Sequence, residues 1–244
     1  MKITAEKRPP RPSTVRRVTA ALAVAAALAA TVVGAAGAPA VAAEEPTFDF
    51  SDCPALPAGV DPTLWKCEVL TATGSLTLGT RTVPELSPMT VTHAEGPLPD
   101  GSDGQVFGAL RSTPTTVPGP LPLSLQAEYG GRSDFYSVGD SMGLFTMRFR
   151  VLSPLLPHGC VIGAGDTPIE LHLRRAGSSE WVSKNPPIIK FAGYDNTFTA
   201  PAARGCGPLG RILNARLGLP AQAGNSITLS AYYTFKTYDQ LPSH

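Results

Sequence analysis

The stretch NSITLSAYYTFKTY, residues 225–238, alternates apolar and polar side chains along its whole length. A period of two, rich in β-branched and aromatic residues, is typical of a half-buried antiparallel strand. The pattern predicts a core face made of every second residue: Ile227, Leu229, Ala231, Tyr233 and Phe235. It predicts that Tyr232, Thr234 and Lys236 point outward.

The same alternation recurs in at least five other stretches, at 74–83, 88–95, 121–129, 144–152 and 169–173. Proline and glycine together make up 43 of the 201 residues from 44 onward, which is too dense for long helices. About nine or ten short strands with such punctuation predict an all-β chain. We expect an antiparallel β-sandwich, either immunoglobulin-like or two-lobed, with possible sub-lobes at 44–111 and 121–244.

One short helix is predicted near the C-terminus, in CGPLGRILNARLGLP, residues 206–220. Pro208 suits a first helical position, and Gly218 with Pro220 ends the helix. Its apolar stripe consists of Leu209, Ile212, Leu213 and Leu217.

The first 43 residues have the organisation of a secretion signal. A basic segment precedes an uncharged run from Val18 to Gly37, and small residues before Glu44 suit cleavage after Ala42 or Ala43. An uncleaved anchor is the alternative, because the run is long enough to span a bilayer. We expect residues 44–244 to form a secreted, extracellular domain.

Four cysteines lie in the part expected to be exported, and two disulfides are the default in an oxidising compartment. Of the three possible pairings, the shorter loop closures favour Cys53 with Cys67 and Cys160 with Cys206. A zinc site is not predicted, because there is no C-x-x-C and the histidines show no ligand spacing. No other metal or cofactor is indicated.

Residues 44–244 carry 14 basic and 18 acidic side chains, a net charge of −4. The absence of a basic stripe argues against a nucleic-acid partner. No second apolar run has membrane length, so no span is expected after signal cleavage.

The segment GDSMG, residues 139–143, matches the G-x-S-x-G pattern of a serine nucleophile. The stretch that follows alternates like a strand, so Ser141 is expected in a hairpin turn rather than at a strand-to-helix elbow. A serine hydrolase using Ser141 with His93 is the alternative. The match to GDSGG is also close, but His93 lies only 48 residues upstream, too close for a trypsin-like barrel. His93 shares the phase of Met89 and Val91, which predicts a partly buried strand histidine.

Three stretches together resemble a family of uncharacterised secreted proteins from actinobacteria, of the Streptomyces and mycobacterial type. They are DCPALPAGVDPTLWKCEV (52–69), LLPHGCVIGAGDTPIELHL (155–173) and FTAPAARGCGPLGRILNARLGLPAQAGNSITL (198–229). The resemblance includes all four cysteines and implies secretion and two disulfides. It implies no activity.

The expected function is therefore that of a secreted, non-enzymatic binding or structural module. Its partner is unknown, and a component of the cell envelope is one possibility. Tyr232 on the outward face of 225–238 is the candidate contact.

Overall fold

The computed structural model describes residues 46–242, so the predicted signal segment lies outside the described residues. The described chain contains twelve strands, one α-helix and two single-turn 3-10 helices. The strands are β1 (Lys66–Leu78), β2 (Arg81–Pro97), β3 (Asp103–Ser112), β4 (Thr115–Thr116), β5 (Ser124–Asp134), β6 (Ser141–Leu152), β7 (Val161–Ile162), β8 (Ile169–Arg175), β9 (Glu180–Lys184), β10 (Pro187–Asp195), β11 (Ala203–Arg204) and β12 (Ser226–Thr237). The α-helix, α1, is Gly210–Leu217, and the 3-10 turns are Gly207–Leu209 and Tyr238–Gln240.

The strands pair antiparallel in one continuous sheet whose main path runs β11-β7-β6-β8-β10-β12-β1-β2-β3. The all-β class, the antiparallel pairing and the single short α-helix near the C-terminus are confirmed. A sandwich of two separate sheets was one way to build this class, but here a single sheet curls into a half-barrel, so that its two ends pack against each other. Alternation along a strand indicates only that one of its faces is buried, and both a two-sheet sandwich and a single curled sheet bury one face of each strand.

The curl brings β3 against β5, which pairs with β6 near the far end of the path. Side chains join the two strands: the Ser112 hydroxyl donates to the Ala127 carbonyl at 2.7 Å. The Gln126 amide in turn donates to the Ser112 carbonyl at 2.9 Å. Phe107 and Tyr129 stack with their ring centroids 3.6 Å apart. The concave face of the sheet is therefore enclosed on this side.

Strand β1 pairs with β12 on one edge and with β2 on the other. The inward residues of these strands meet in register, as in the facing pairs Leu76↔Ile227 and Ala72↔Met89. Gly74 is required where β1 lies close to β12, since an added Cβ would lie 1.8 Å from the Thr228 carbonyl oxygen. The stretch 225–238 thus lies at the centre of the sheet, with its predicted core phase facing the interior.

The convex face of β1 is covered by the chain that precedes it. Trp65, Cys67 and Val69 are completely buried there. A disulfide joins Cys53 to Cys67, and the Tyr238 hydroxyl donates to the Pro54 carbonyl at 2.7 Å. This disulfide and hydrogen bond hold the N-terminal segment of the described chain on the back of β1.

The second disulfide joins Cys160 to Cys206, and both cysteines are buried in the main core. It connects the start of β7 to the turn that leads into α1, so both predicted pairings are confirmed.

The helix ends at Gly218, which is left-handed with φ 70°. Its stripe is only half buried: Leu213 and Leu217 enter the core, whereas Leu209 and Ile212 stay exposed. None of the described helices combines the length and the apolar character needed to cross a membrane.

Replacing Cys160 and Cys206 together by alanine should destabilise the protein more than replacing Cys53 and Cys67. The former pair is separated by 46 residues and the latter by 14. Loop-closure entropy in the unfolded chain predicts losses of about 4 and about 3 kcal/mol in the free energy of unfolding. Urea denaturation measures both values, and hydrogen exchange should show α1 losing protection first in the Cys160/Cys206 variant. An unchanged unfolding midpoint in that variant would contradict the prediction.

Candidate functional site

One end of the curled sheet opens into a cleft of about 370 Å³. Its lining combines apolar side chains with ionisable ones. The apolar residues are Leu70, Phe135, Met142, Ile189 and Phe191, and the polar ones are Glu68, His93, Glu95, Tyr136, Ser137, Arg175, Ser179 and Tyr233. A volume of this size is within the range of small-molecule sites.

Below the cleft lies a smaller cavity of about 90 Å³ with an almost wholly apolar lining. Leu70, Phe135, Met142 and Phe191 line both spaces. The concave interior therefore changes from polar at the opening to apolar at depth.

The ionisable residues at the opening are brought together by strand register. Glu68 on β1 lies directly opposite His93 on β2. Glu95 follows His93 by two residues, and Tyr233 on β12 lies two residues from Phe235, the partner of Glu68. Side chains two apart along a strand, or directly opposite across an antiparallel pair, share one face. We call Glu68, His93, Glu95 and Tyr233 the mouth cluster.

His93 is the most enclosed member of the mouth cluster, with 3 % of its surface exposed. Its ring packs against Phe135 with centroids 4.3 Å apart. Its Nε2 atom lies 3.2 Å from Oε2 of Glu68, which is itself 6 % exposed. The two atoms are within salt-bridge distance but do not meet the geometry of a hydrogen bond. Among the described residues, neither ring nitrogen of His93 nor Oε1 of Glu68 has a hydrogen-bond partner.

The two carboxyl groups of the mouth cluster differ in their acidity. Burial raises the pKa of Glu68, but the adjacent His93 ring and the Tyr233 hydroxyl lower it more, so its pKa lies below the ordinary value. The pKa of Glu95 is raised, first by burial and then by repulsion from the Glu68 carboxylate. Burial and the same negative charge raise the pKa of Tyr233. The Glu68 carboxyl is therefore the stronger acid of the two, and ionisation of Glu95 is disfavoured beside it.

A cation lies elsewhere on the rim of the cleft. The half-buried Arg175 guanidinium at the end of β8 donates to the Ser179 hydroxyl at 2.6 Å. The lining thus carries the carboxyls of Glu68 and Glu95, one guanidinium and one imidazole. This composition suits a ligand with an apolar part and a polar head group.

Ser141 lies outside the lining of the cleft. Its backbone N–H and carbonyl exchange hydrogen bonds with Val138 at 3.1 and 3.0 Å across Gly139-Asp140, which makes a two-residue hairpin turn into β6. Its exposed hydroxyl accepts a hydrogen bond from the Gly143 amide at 3.3 Å. Within the described part of the chain, no hydrogen bond joins Ser141 to His93.

His93 is a strand residue as predicted, but it is fully rather than partly buried, because Phe135 and Glu68 enclose its ring. Sequence reasoning did not select Glu68, Glu95 or Tyr233 as site residues. One feature of the sequence could have identified Glu68: it lies two residues before Leu70 and four before Ala72, both of which face the interior. The alternation therefore places a carboxylate on the interior face of β1.

The outward face of β12 is less open than its alternation predicts. Thr234 is 4 % exposed, and its hydroxyl donates to the Pro187 carbonyl at 2.6 Å. Tyr232 is half-buried beside the Lys190 ammonium, which lies 5.6 Å from the centre of its ring.

Replacing Glu95 by glutamine should stabilise the protein at neutral pH. A carboxyl whose pKa is higher in the folded state penalises folding when it is ionised, and glutamine removes that charge. The gain in the free energy of unfolding should shrink as pH falls through the raised pKa and vanish below about 4.3, the ordinary pKa of glutamate. Urea denaturation in chelator-containing buffer at several pH values measures the gain. Glu85→Gln, on an exposed part of the same strand, is the matched control; an equal gain there would contradict the assignment.

Comparison with known proteins finds no matching family model, no similar curated protein and no similar solved structure. The relation to secreted actinobacterial proteins therefore stays a prediction.

Proposed function

We propose that this protein is a non-enzymatic binding module of the cell exterior, which takes up a small amphipathic molecule in the cleft. The single observation that carries the proposal is the cleft itself, with the mouth cluster at its opening and an apolar cavity beneath it. Ligand sites of this kind combine a mainly apolar lining with a few placed polar groups that fix orientation.

The lining defines the chemistry of the ligand. The apolar body contacts Leu70, Met142 and Phe191, which line both the cleft and the deeper cavity. The head group meets the mouth cluster, whose Glu68 carboxylate is buried and holds a lowered pKa. A buried acceptor without a hydrogen-bond partner carries a desolvation cost that a donor from the ligand removes. A cationic or hydrogen-bond-donating head therefore fits better than an anionic one.

The extracellular location is supported by the two disulfides, because such bonds persist in oxidising compartments. Association with an envelope component remains a prediction. The half-buried state of Tyr232 beside Lys190 makes the cleft the better-supported contact site.

Titration with n-decylamine and with decanoate, both below their critical micelle concentrations, tests the proposal by calorimetry in chelator-containing buffer. The amine should bind at one saturable site and more tightly than the carboxylate. Met142→Trp fills the shared wall of the two spaces and should weaken the amine at least about tenfold, the effect of roughly 1.4 kcal/mol of lost binding.

Tyr232→Ala is the matched control, since this aromatic side chain belongs to β12 but is absent from the lining of the cleft. It should bind the amine as the wild type does. Failure of both probes to saturate, or equal weakening in Tyr232→Ala, would refute binding in the cleft.

The serine-hydrolase alternative has its own test, because an active serine reacts with fluorophosphonate probes. We expect no labelling of Ser141, whose hydroxyl lies in an exposed hairpin turn. Labelling of the wild type that disappears in Ser141→Ala would replace the binding proposal with an enzymatic one.

A further inference from the structure

We infer that Glu68, His93 and Glu95 form a binding site for one divalent transition-metal ion, with Zn²⁺ as its representative. The inference concerns the same opening of the cleft as the proposed function, but it does not depend on an organic ligand. It rests on the position of the three donors, on their unsatisfied atoms and on their chemistry.

Position is the first argument. One nitrogen or oxygen atom from each of the three side chains lies within 4.8 Å of the other two. Two ligand atoms at about 2.1 Å from a tetrahedral zinc are about 3.4 Å apart, so the 3.2 Å between His93 Nε2 and Glu68 Oε2 already fits. Glu95 is only half-buried and can close the remaining separation by rotating its side chain.

The unsatisfied atoms are the second argument. His93 is 3 % exposed and Glu68 is 6 % exposed, yet three of their four polar side-chain atoms have no hydrogen-bond partner among the described residues. Buried polar groups in folded proteins are nearly always paired, and an exception calls for an explanation. A metal ion bound to Nε2 of His93 and to the Glu68 carboxylate gives the buried Nε2 atom the partner that it lacks, in the direction in which it already faces.

Charge is the third argument. A carboxylate oxygen of Glu68 and one of Glu95 lie within 4.8 Å of each other, and two negative charges at that distance repel. A dication between them converts this repulsion into attraction. The Arg175 guanidinium does not fill that role, since its hydrogen bond is to Ser179.

The donor set selects the class of ion. An imidazole nitrogen suits zinc and its transition-metal neighbours, whereas magnesium and calcium prefer sites made of oxygen alone. Three protein ligands leave at least one coordination position open toward the cleft, as in zinc sites that also bind water or a substrate. The polar head of a bound molecule has direct access to that position.

Sequence spacing alone does not indicate this site. His93 and Glu95 are two residues apart on β2, and Glu68 on β1 lies 25 positions before His93. Only the antiparallel register of β1 and β2 makes the three side chains neighbours.

The test is calorimetric titration of the purified, chelator-treated protein with Zn²⁺ and, separately, with Mg²⁺. Wild type should bind one zinc ion and show no saturable binding of magnesium. His93→Gln keeps a polar side chain of similar size and should lose at least about 100-fold in zinc affinity. Replacing residues that only hydrogen-bond to a metal ligand costs about 10- to 100-fold, and loss of a ligand itself should cost no less than the upper value. Glu95→Gln should weaken zinc at least about tenfold and covers the case in which His93→Gln fails to fold.

The chain offers a matched control in the exposed pair His172 and Glu170, whose Nε2 and Oε1 atoms lie 3.0 Å apart on β8. The double variant His172→Gln/Glu170→Gln should bind zinc as the wild type does. A thermal melt supplies a second measurement: zinc should raise the unfolding temperature of the wild type and of the control, but not of His93→Gln.

Three results would overturn the inference: no saturable zinc binding, zinc affinity unchanged in a folded His93→Gln or Glu95→Gln variant, or equal binding of magnesium. Zinc is added here without any organic molecule, whereas the alkylamine is titrated with chelator present. Failure of the metal site and failure of the small-molecule site are therefore separate outcomes.

Discussion

The pairing of β1 with β2 and β12 is the constraint on which the other features depend. These three strands are neighbours in the sheet, and their register decides which of their side chains face the interior. A slip of one residue would move every inward side chain of a strand to the opposite face. The close approach of β12 at Gly74 and the Cys53–Cys67 disulfide both constrain β1, the first within the sheet and the second on its convex face. The position of the mouth cluster is thus fixed by the same contacts that fix the fold.

The curl of the sheet turns the face on which Glu68, His93 and Tyr233 lie into an enclosed interior. Because β3 packs against β5, the concave face becomes an interior with a polar opening. Most of that interior is filled by aliphatic and aromatic side chains, which stabilise the fold by burial. At the opening, Glu68 and His93 remain buried without full hydrogen bonding. Such groups cost stability unless a ligand or an ion satisfies them, so the least favourable part of the core is also its best candidate for function.

The two proposals make different use of this opening. The small-molecule proposal needs the apolar depth of the cleft, with Leu70, Met142 and Phe191 as its contacts. The metal proposal needs only the facing donors on β1 and β2. A metal ion with an open coordination position would allow an acceptor head group to bind where the free carboxylates favour a donor. The preference between a donor and an acceptor head group, measured with and without zinc, therefore distinguishes the metal-bound site from the metal-free site.

Local alternation and punctuation by proline and glycine were enough to predict the strand content and the short helix. Loop length favoured Cys53–Cys67 and Cys160–Cys206 over the other two pairings, and the structure confirms these two disulfides. The alternation after residue 143 also indicated a hairpin turn within residues 139–143, and the structure has that turn at Gly139-Asp140. That the strands form one curled sheet, and that Leu209 and Ile212 stay exposed, depends on long-range packing and could not be predicted from local patterns. The mouth cluster belongs to this second class. Glu68 and His93 come from the consecutive strands β1 and β2, whereas Tyr233 comes from β12 near the other end of the chain. Period two does not reveal that β12 pairs with β1, nor in what register the three strands pair.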